Sequence, residues 1–455
     1  MGASKKPKKP KIKKAASKNE RRKRRLITAW AAALAFVAVT GISFIWSAQI
    51  DKALGLIVPG ARAGEPLDKV LEFDAGAGKT LAVHFIDVGQ GDACVIELPD
   101  GKKILIDGGK DKEKSKLLGY IDAVIDDGAD SMRDAEFGFD YAILTHADED
   151  HCGGFDDVLD GYGAEVFYRP NEEATYKDYA DPGKNNLLPG YTAQDTLAYM
   201  RAVDAGHNNS GSVRVSSASD AAGGVIKPDG IQKGGSGYYE LVFYTPVKNS
   251  YKNHNDYSPI MILYFAGRSI ALSGDAETAA EKEFTDAAAA KDGDKYAVFD
   301  ERFNADVIKL GHHGSRTSSG GDYLAALTAP DSVSGVFTVI SCGAGNTYDH
   351  PHPETLDRLS GAGFAADKVL RTDIYGSIVF RIDSAAAGAG TLTFAVTAES
   401  ERAAIRFGET TVGWRGLCVS AWILLALILL IRPLASVLRK NFKRNSSKRN
   451  KKSAG

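Results

Sequence analysis

The chain has 455 residues, 44% of them apolar, which is ample for a large folded core. Its formal charge of -2 divides into +12 over residues 1–25, +9 over residues 432–455 and -23 between them, so an acidic body lies between two basic tails. A body of that sign repels a polyanion unless bound cations offset its field. The four cysteines (Cys94, Cys152, Cys342, Cys418) lack paired spacing, which excludes a disulfide framework and a zinc ribbon.

Behind the basic tail 1–25, Leu26–Trp46 is an uncharged run of 21 residues with Trp30 and Trp46 near its ends. A membrane-spanning helix needs roughly 20 such residues, with aromatic side chains at the interfaces. A cleaved signal peptide has a shorter apolar core, about 7–15 residues, and a small-residue site close behind it. Ala61-Arg62-Ala63 stands too far downstream, so an uncleaved anchor is expected. Residues 47–79 read as a linker and 80–400 as the folded body. A second span is expected over 412–431, built on the apolar run Leu417–Ile431, and the basic tail 432–455 follows at once. Basic residues outside both spans place both termini in the cytoplasm and the body on the other face of the cell membrane.

Within the body, Leu81–Ile86, Ala93–Leu98 and Lys103–Ile106 read as strands, with turns at Gly89–Asp92 and Pro99–Gly101. The turn G-Q-G-D lacks the lysine and following helix of a phosphate-binding loop; its role is a tight hairpin in which Asp87 and Asp92 pin the backbone. Lys112–Asp126 reads as helical, Tyr141–Leu144 as the central strand, Phe155–Leu159 as a short helix and Glu165–Tyr168 as a strand. Residues 170–237 are polar and poorly periodic, and are expected to be a partly disordered insertion. Strands at Glu240–Thr245, Pro259–Phe265 and Ser269–Ser273 are followed by a helix over Ala276–Lys291 and a strand over Asp306–Leu310. A helix over Asp322–Thr328, a strand over Val336–Ser341, a helix over Pro353–Ala362 and three closing strands to Val396 complete it. Two runs of strands with helices between them describe an α+β fold, a four-layer αββα sandwich.

Chemistry concentrates at strand ends. Tyr141–Gly154 reads Y-A-I-L-T-H-A-D-E-D-H-C-G-G: an apolar strand ends in Thr, and His146, Asp148, Asp150 and His151 follow within six residues. Imidazole nitrogen with carboxylate oxygen suits zinc, manganese or iron(II) better than magnesium or calcium. Three other strands end in metal-binding groups: I-L-I-D-G-G at Asp107, A-L-S-G-D-A-E at Asp275, and D-V-I-K-L-G-H-H-G-S at His312 and His313. Four such endings describe a metal site, whereas a solvated acidic turn would account for only one of them.

These motifs, together with F-I-D-V-G-Q-G-D at Phe85–Asp92, D-H-P-H-P-E-T-L at Asp349–Leu356 and R-T-D-I-Y-G-S-I at Arg371–Ile378, resemble the metallo-β-lactamase fold. More narrowly they resemble the extracytoplasmic hydrolase domain of the ComEC DNA-uptake proteins. The resemblance implies two divalent transition-metal ions, zinc or manganese, and hydrolysis by a metal-bridged hydroxide. It implies that His146, Asp150 and His151 are ligands, that Asp275 bridges the ions, and that one of His312 and His313 is the distal ligand, His312 being preferred; Asp148 is expected to join the ligands. Asp148 stands where most of the superfamily has a second histidine, and the mid-chain histidine has no secure match, His254 being nearest. Asp107 is expected to orient a ligand histidine. Asp150 is expected to orient the nucleophile and His313 to protonate the leaving group, with Ser315, His350 and His352 near substrate.

The resulting expectation is a membrane-anchored hydrolase of phosphodiesters, DNA among them, with the bilayer contacted through two spans. Two alternatives stand beside it: a hydrolase of a cell-envelope ester, and a tethered sensor module with a residual site.

Overall fold

In a computed structural model, residues 79–126, 131–170, 192–217, 224–290, 304–385, 388–397, 405–407 and 410–412 are described. The chain divides into two compact units, one of residues 58–402 and 408–411 and the other of 1–57, 403–407 and 412–455. Nearly all described residues belong to the first unit. Among the described residues no helix is long and apolar enough to cross a membrane. The expected span 26–46 lies outside them, as does 412–431 apart from Val412, which closes the short strand Thr410–Val412 rather than opening a helix.

Among the described residues fifteen strands build the body: β1 (Thr80–Phe85), β2 (Cys94–Glu97), β3 (Lys103–Ile106), β4 (Phe139–Ile143), β5 (Ala164–Pro170), β6 (Ser210–Ser216), β7 (Val225–Ile226), β8 (Tyr239–Phe243), β9 (Met261–Phe265), β10 (Arg268–Leu272), β11 (Val307–Lys309), β12 (Phe337–Ile340), β13 (Val369–Arg371), β14 (Ile378–Asp383) and β15 (Thr391–Val396). They form an eight-stranded sheet in the order β15-β14-β1-β2-β3-β4-β5-β6 and a seven-stranded sheet in the order β13-β12-β11-β10-β9-β8-β7.

The two-residue period of each strand sorts its side chains between layers. In β1, Leu81, Val83 and Phe85 enter a core that also holds Leu241, Met261, Leu263, Val307 and Val339 of the other sheet. The opposite face of the first sheet, with Val95, Leu105 and Ala142, packs under Leu117, Phe155, Leu159, Tyr199 and Val203 of its helices. Ile262, Ala271 and Ile308 of the second sheet pack under Phe284, Tyr323, Leu324 and Leu359. The αββα layering follows from these three apolar clusters.

The insertion corrects one expectation. Within 170–237 the chain forms a helix at Ala193–Asn208 and the strands β6 and β7, and β6 extends the first sheet beside β5. Thr192 caps the helix reciprocally with Asp195, at 3.1 Å in each direction. Its buried stripe is Ala198, Tyr199, Ala202, Val203 and Ala205. Alanines supply most of that stripe, so its periodicity is faint in sequence. Residues 171–191 and 218–223 lie outside the described residues.

Candidate metal centre

Each sheet has a parallel half, β3 to β6 in one and β10 to β13 in the other. Parallel strands place their carboxyl ends at one edge, and ligand groups collect there. β3 therefore delivers Asp107, β4 delivers Thr145 and His146, β10 delivers Asp275, and β11 delivers His312 and His313. The short helix Glu149–Cys152 follows β4 and carries Asp150 and His151, with Asp148 at its start. Gly91 lets the hairpin loop lie against this turn. A Cβ there would stand 2.4 Å from the Asp150 carbonyl oxygen, and the Asp92 amide donates to that oxygen at 3.0 Å.

Asp275, 1% exposed, is central to the site. Its Oδ1 lies 3.2 Å from His151 Nε2, and its Oδ2 lies 3.4 Å from His313 Nε2, 3.8 Å from His312 Nε2 and 4.0 Å from His146 Nε2. Asp150 Oδ2 is 3.5 Å from His313 Nε2, and Asp148 Oδ2 is 3.5 Å from His146 Nε2. One donor atom from each of Asp92, His151, Asp275 and His313 falls within 4.8 Å of the others.

The opposite ring nitrogens are pinned. His151 Nδ1 donates to Asp107 Oδ2 at 2.8 Å, and Asp107 in turn accepts from the Thr145 amide and hydroxyl, each at 2.8 Å. His313 Nδ1 donates to the Ser341 carbonyl at 2.9 Å, and His312 Nδ1 to Glu277 Oε1 at 2.7 Å. His146 Nδ1 lies 3.1 Å from Thr145 Oγ1 and 3.2 Å from Ser258 Oγ. A carboxylate or carbonyl only accepts, so in His151, His312 and His313 the Nδ1 carries a proton and Nε2 is the nitrogen left to bind a cation once its own proton is displaced. The buried Nε2 atoms of His146, His151 and His313 have no hydrogen-bond partner. Buried polar atoms left this way call for a ligand. The donor set therefore fits a divalent transition-metal ion, and the chemistry of imidazole plus carboxylate selects that class.

Electrostatics agree. Burial disfavours the Asp275 carboxylate, yet the positive charge of His151, His313 and His312 outweighs it and holds the group well below the carboxylate range. Burial likewise opposes charge on His151, but Asp275 and Asp107 raise it well above the ordinary imidazole value. His313 is pushed up to about 10, burial being outweighed by Asp275 and Asp92. Protons thus stand in the metal-free site where a cation would supply the charge.

The geometry redistributes the expected roles. His313, not His312, belongs to the compact donor set, with Nδ1 on the Ser341 carbonyl and Nε2 facing Asp150 and Asp275. Asp107 stands behind His151, on its Nδ1. Asp92 is buried, 3.3 Å from His313 Nδ1, and paired with the buried Lys309 ammonium. Asp87 stays in its loop, accepting from the Gly89 amide at 3.1 Å. Ser315 is buried against Thr317 at 2.9 Å, and His352 accepts from the Arg316 amide at 3.1 Å, so both serve the turn. His350 lines the cleft, and so does His254, which is not part of the compact donor set.

Four residues escaped the sequence reading: Lys309, Glu277, Ser258 and Lys110. Lys309 left a signal, since a lysine inside the apolar strand V-I-K must find a buried acid.

The sequence profile of the Metallo-beta-lactamase superfamily matches residues 86–334, more than half of the chain. The chain belongs to this superfamily. It is similar to ComE operon protein 3 of Bacillus subtilis (strain 168), 26% identical over 310 residues that cover 66% of this chain and 33% of the relative. It is also similar to Competence protein ComA of Neisseria gonorrhoeae, 29% identical over 141 residues, 31% of this chain and 18% of that one. Recombination protein 2 of Haemophilus influenzae is 25% identical over 298 residues, 64% and 28% of the two chains. The chain spans a third or less of the length of these curated relatives. Membership and donor set together make it a metal-binding member of a superfamily of hydrolases related to competence proteins.

Proposed function

We propose that the protein is a membrane-anchored hydrolase of phosphodiesters, nucleic acid among them, working with two divalent ions, zinc or manganese. The observation that carries this reading is the composition of the cleft, of about 330 Å³, in front of the donor set. Lys110, Gln90, Tyr348 and His350 line it beside the acidic and imidazole donors. Lys110 Nζ lies 4.0 Å from Asp150 Oδ2 and 5.4 Å from the Tyr348 ring centroid. A cation at that point suits an anionic phosphoryl group and gives a neutral ester nothing.

His146, Asp148, Asp150, His151, Asp275 and His313 would hold the ions. Ions bound there supply Lewis acidity and a nucleophile at neutral pH. The chain's own groups do the rest. Asp150 orients the attacking group, being both a donor and a neighbour of Lys110. Gln90 is fixed because its Oε1 accepts from the Gly343 amide at 3.1 Å, so its Nε2 donates to His350 Nδ1 at 3.4 Å. His350 therefore keeps its proton on Nε2. Burial, with His313 and His312 nearby, depresses its pKa to about 3, so it acts as a neutral N–H donor to a phosphoryl oxygen.

The relatives' names, which concern competence and recombination, favour nucleic acid over a cell-envelope ester. The uncharged run 26–46 and the apolar stretch in 412–431 support anchoring. Full-length protein loaded with Mn²⁺ or Zn²⁺ should hydrolyse an aryl phosphodiester and single-stranded DNA, and a chelator should abolish both activities. Faster turnover of an aryl carboxylic ester than of any phosphodiester would overturn the reaction class. Externally added protease on intact cells should reach residues 170–237; complete protection there, with cleavage of the tails instead, would reverse the topology.

A further inference from the structure

We propose that Tyr348 is a specificity-determining residue of the cleft, a stacking platform for an unpaired nucleobase of the substrate. The proposal rests on the phosphodiester reading above and concerns the part of the substrate beyond the phosphoryl group. Charge alone serves a nucleic acid poorly here. The body between the two tails carries -23, and Lys110 is the one lysine or arginine lining the cleft among the described residues. Stacking of a base on an aromatic ring needs no favourable field and tolerates any base.

Tyr348 is 52% exposed, the most exposed large apolar side chain among the described residues, and it lines the cleft. A single exposed ring is ordinary on a protein surface. The loop beneath this one, however, is tied down to present it. Asn346 Oδ1 accepts from the Tyr348 amide at 3.1 Å and from the His350 amide at 3.0 Å. Its Nδ2 donates to the Gly343 carbonyl at 2.9 Å and to the His350 carbonyl at 2.7 Å. Asp349, between the two ring-bearing residues, takes φ +60, left-handed for a non-glycine residue. Strain of this kind persists where surrounding contacts over-determine it. The His350 ring then lies at 21° to the Tyr348 ring, with centroids 5.8 Å apart. An aromatic group fixed through its backbone and by a stacked neighbour loses little freedom when a ligand covers it.

Lys110 Nζ lies 5.4 Å from the centre of the Tyr348 ring and 4.0 Å from Asp150 Oδ2, so one cation is within reach of both the donor set and the ring. A nucleotide has matching parts: an anionic phosphoryl group, a sugar and a flat base. With its phosphoryl group at Lys110 and His350, its base meets Tyr348. In a duplex the neighbouring bases cover both faces of each base, so the ring takes an unpaired, unstacked one.

The test uses the full-length protein in detergent and two esters that share a reacting phosphorus and a leaving group. One is the p-nitrophenyl ester of thymidine 5′-monophosphate; the other is methyl p-nitrophenyl phosphate, which has no base. The readout is the ratio of their kcat/KM values with Mn²⁺, in which effects on the ions, Lys110 or His350 cancel. That ratio should fall about 5–150-fold in Tyr348→Ala, with KM carrying the change, and survive in Tyr348→Phe, which keeps the ring. Binding gives a second readout without turnover. Thymidine 5′-monophosphate titrated onto the zinc-loaded protein should show its base-methyl proton resonance shifted upfield in wild type and Tyr348→Phe, and the shift should be lost in Tyr348→Ala. An unchanged ratio in Tyr348→Ala, or a ratio lost equally in Tyr348→Phe, overturns the proposal and leaves the phosphodiester reading standing. Hydrolysis of neither ester by wild type, beside turnover of an aryl carboxylic ester, overturns both. If circular dichroism shows that Tyr348→Ala fails to fold, Tyr348→Leu, apolar but without an aromatic face, decides in the same way.

Discussion

Replacing Lys309 with Met removes one half of a buried ion pair and leaves the other half in place. Lys309 and Asp92 are each 5% exposed, and their side chains are in contact between the two sheets. Burial works to raise the Asp92 pKa, yet Lys309 first and His313 second bring it down to about 2. Without the ammonium, Asp92 keeps His313, 3.3 Å away, and the weaker influence of His151 as positive neighbours, and the His313 imidazole is shared with Asp150 and Asp275. Breaking a buried pair from one side costs about 3–5 kcal/mol, because the remaining charge is uncompensated. That is a large part of the roughly 5–15 kcal/mol that holds a domain folded. Removing both charges, as Lys309→Met with Asp92→Asn, should recover more than half of the loss. Urea unfolding of metal-free protein at pH 7 reads these differences. Far-UV circular dichroism is the suitable probe, since all four tryptophans, Trp30, Trp46, Trp414 and Trp422, lie outside the described body. The sign of the pH effect follows from the depressed pKa. The stabilisation by Asp92 is fully present above its unfolded value of about 3.9 and is lost as pH falls through about 2 in the wild type. In Lys309→Met that acid-side loss should begin at higher pH. Lys309 Nζ also donates to the Gly274 carbonyl at 3.3 Å, one residue before Asp275, so metal affinity should fall in parallel. A loss below about 1 kcal/mol, or a double variant no more stable than the single one, would refute the pairing.

Asp107→Asn should lower metal affinity about 10–100-fold, because His151 loses the carboxylate that fixes its tautomer; calorimetric titration showing wild-type affinity would dismiss that role. Asp275→Ala should lose at least one ion per chain and most turnover, and unchanged metal content by mass spectrometry would remove Asp275 from the centre. Cation affinity should climb between pH 6 and 9, since binding displaces protons from His151, raised well above its usual value, and His313, raised to about 10. The stability those protons lend the metal-free protein is full below the unfolded imidazole value of about 6.5 and is lost as pH rises through about 10. Affinity independent of pH across that range would contradict the protonated resting state.

The sequence by itself determined the strands and where they end. Apolar runs closing on Asp107, His146, Asp275 and His312 are visible without coordinates, because a strand that is buried on both faces must stop where charge begins. The helix Pro353–Ala362 lies where its sequence places it, with Pro at its first turn and the left-handed Gly363 past its last. The helix Ala193–Asn208 was not legible, since alanine is weakly apolar and its stripe acquires meaning only against Phe155 and Phe167. Tertiary structure decided the division of labour inside the site. In H-H-G-S the two imidazoles are equivalent as letters, and only the left-handed turn, the Ser341 carbonyl and Glu277 distinguish them. Lys309 is the sharpest case. Its position in β11 follows from the apolar run, but its meaning depends on Asp92, a residue 217 positions earlier in the loop between β1 and β2 of the other sheet. Local sequence sets which groups stand at strand ends; the contact between two sheets, which no local pattern encodes, sets which charges neutralise one another.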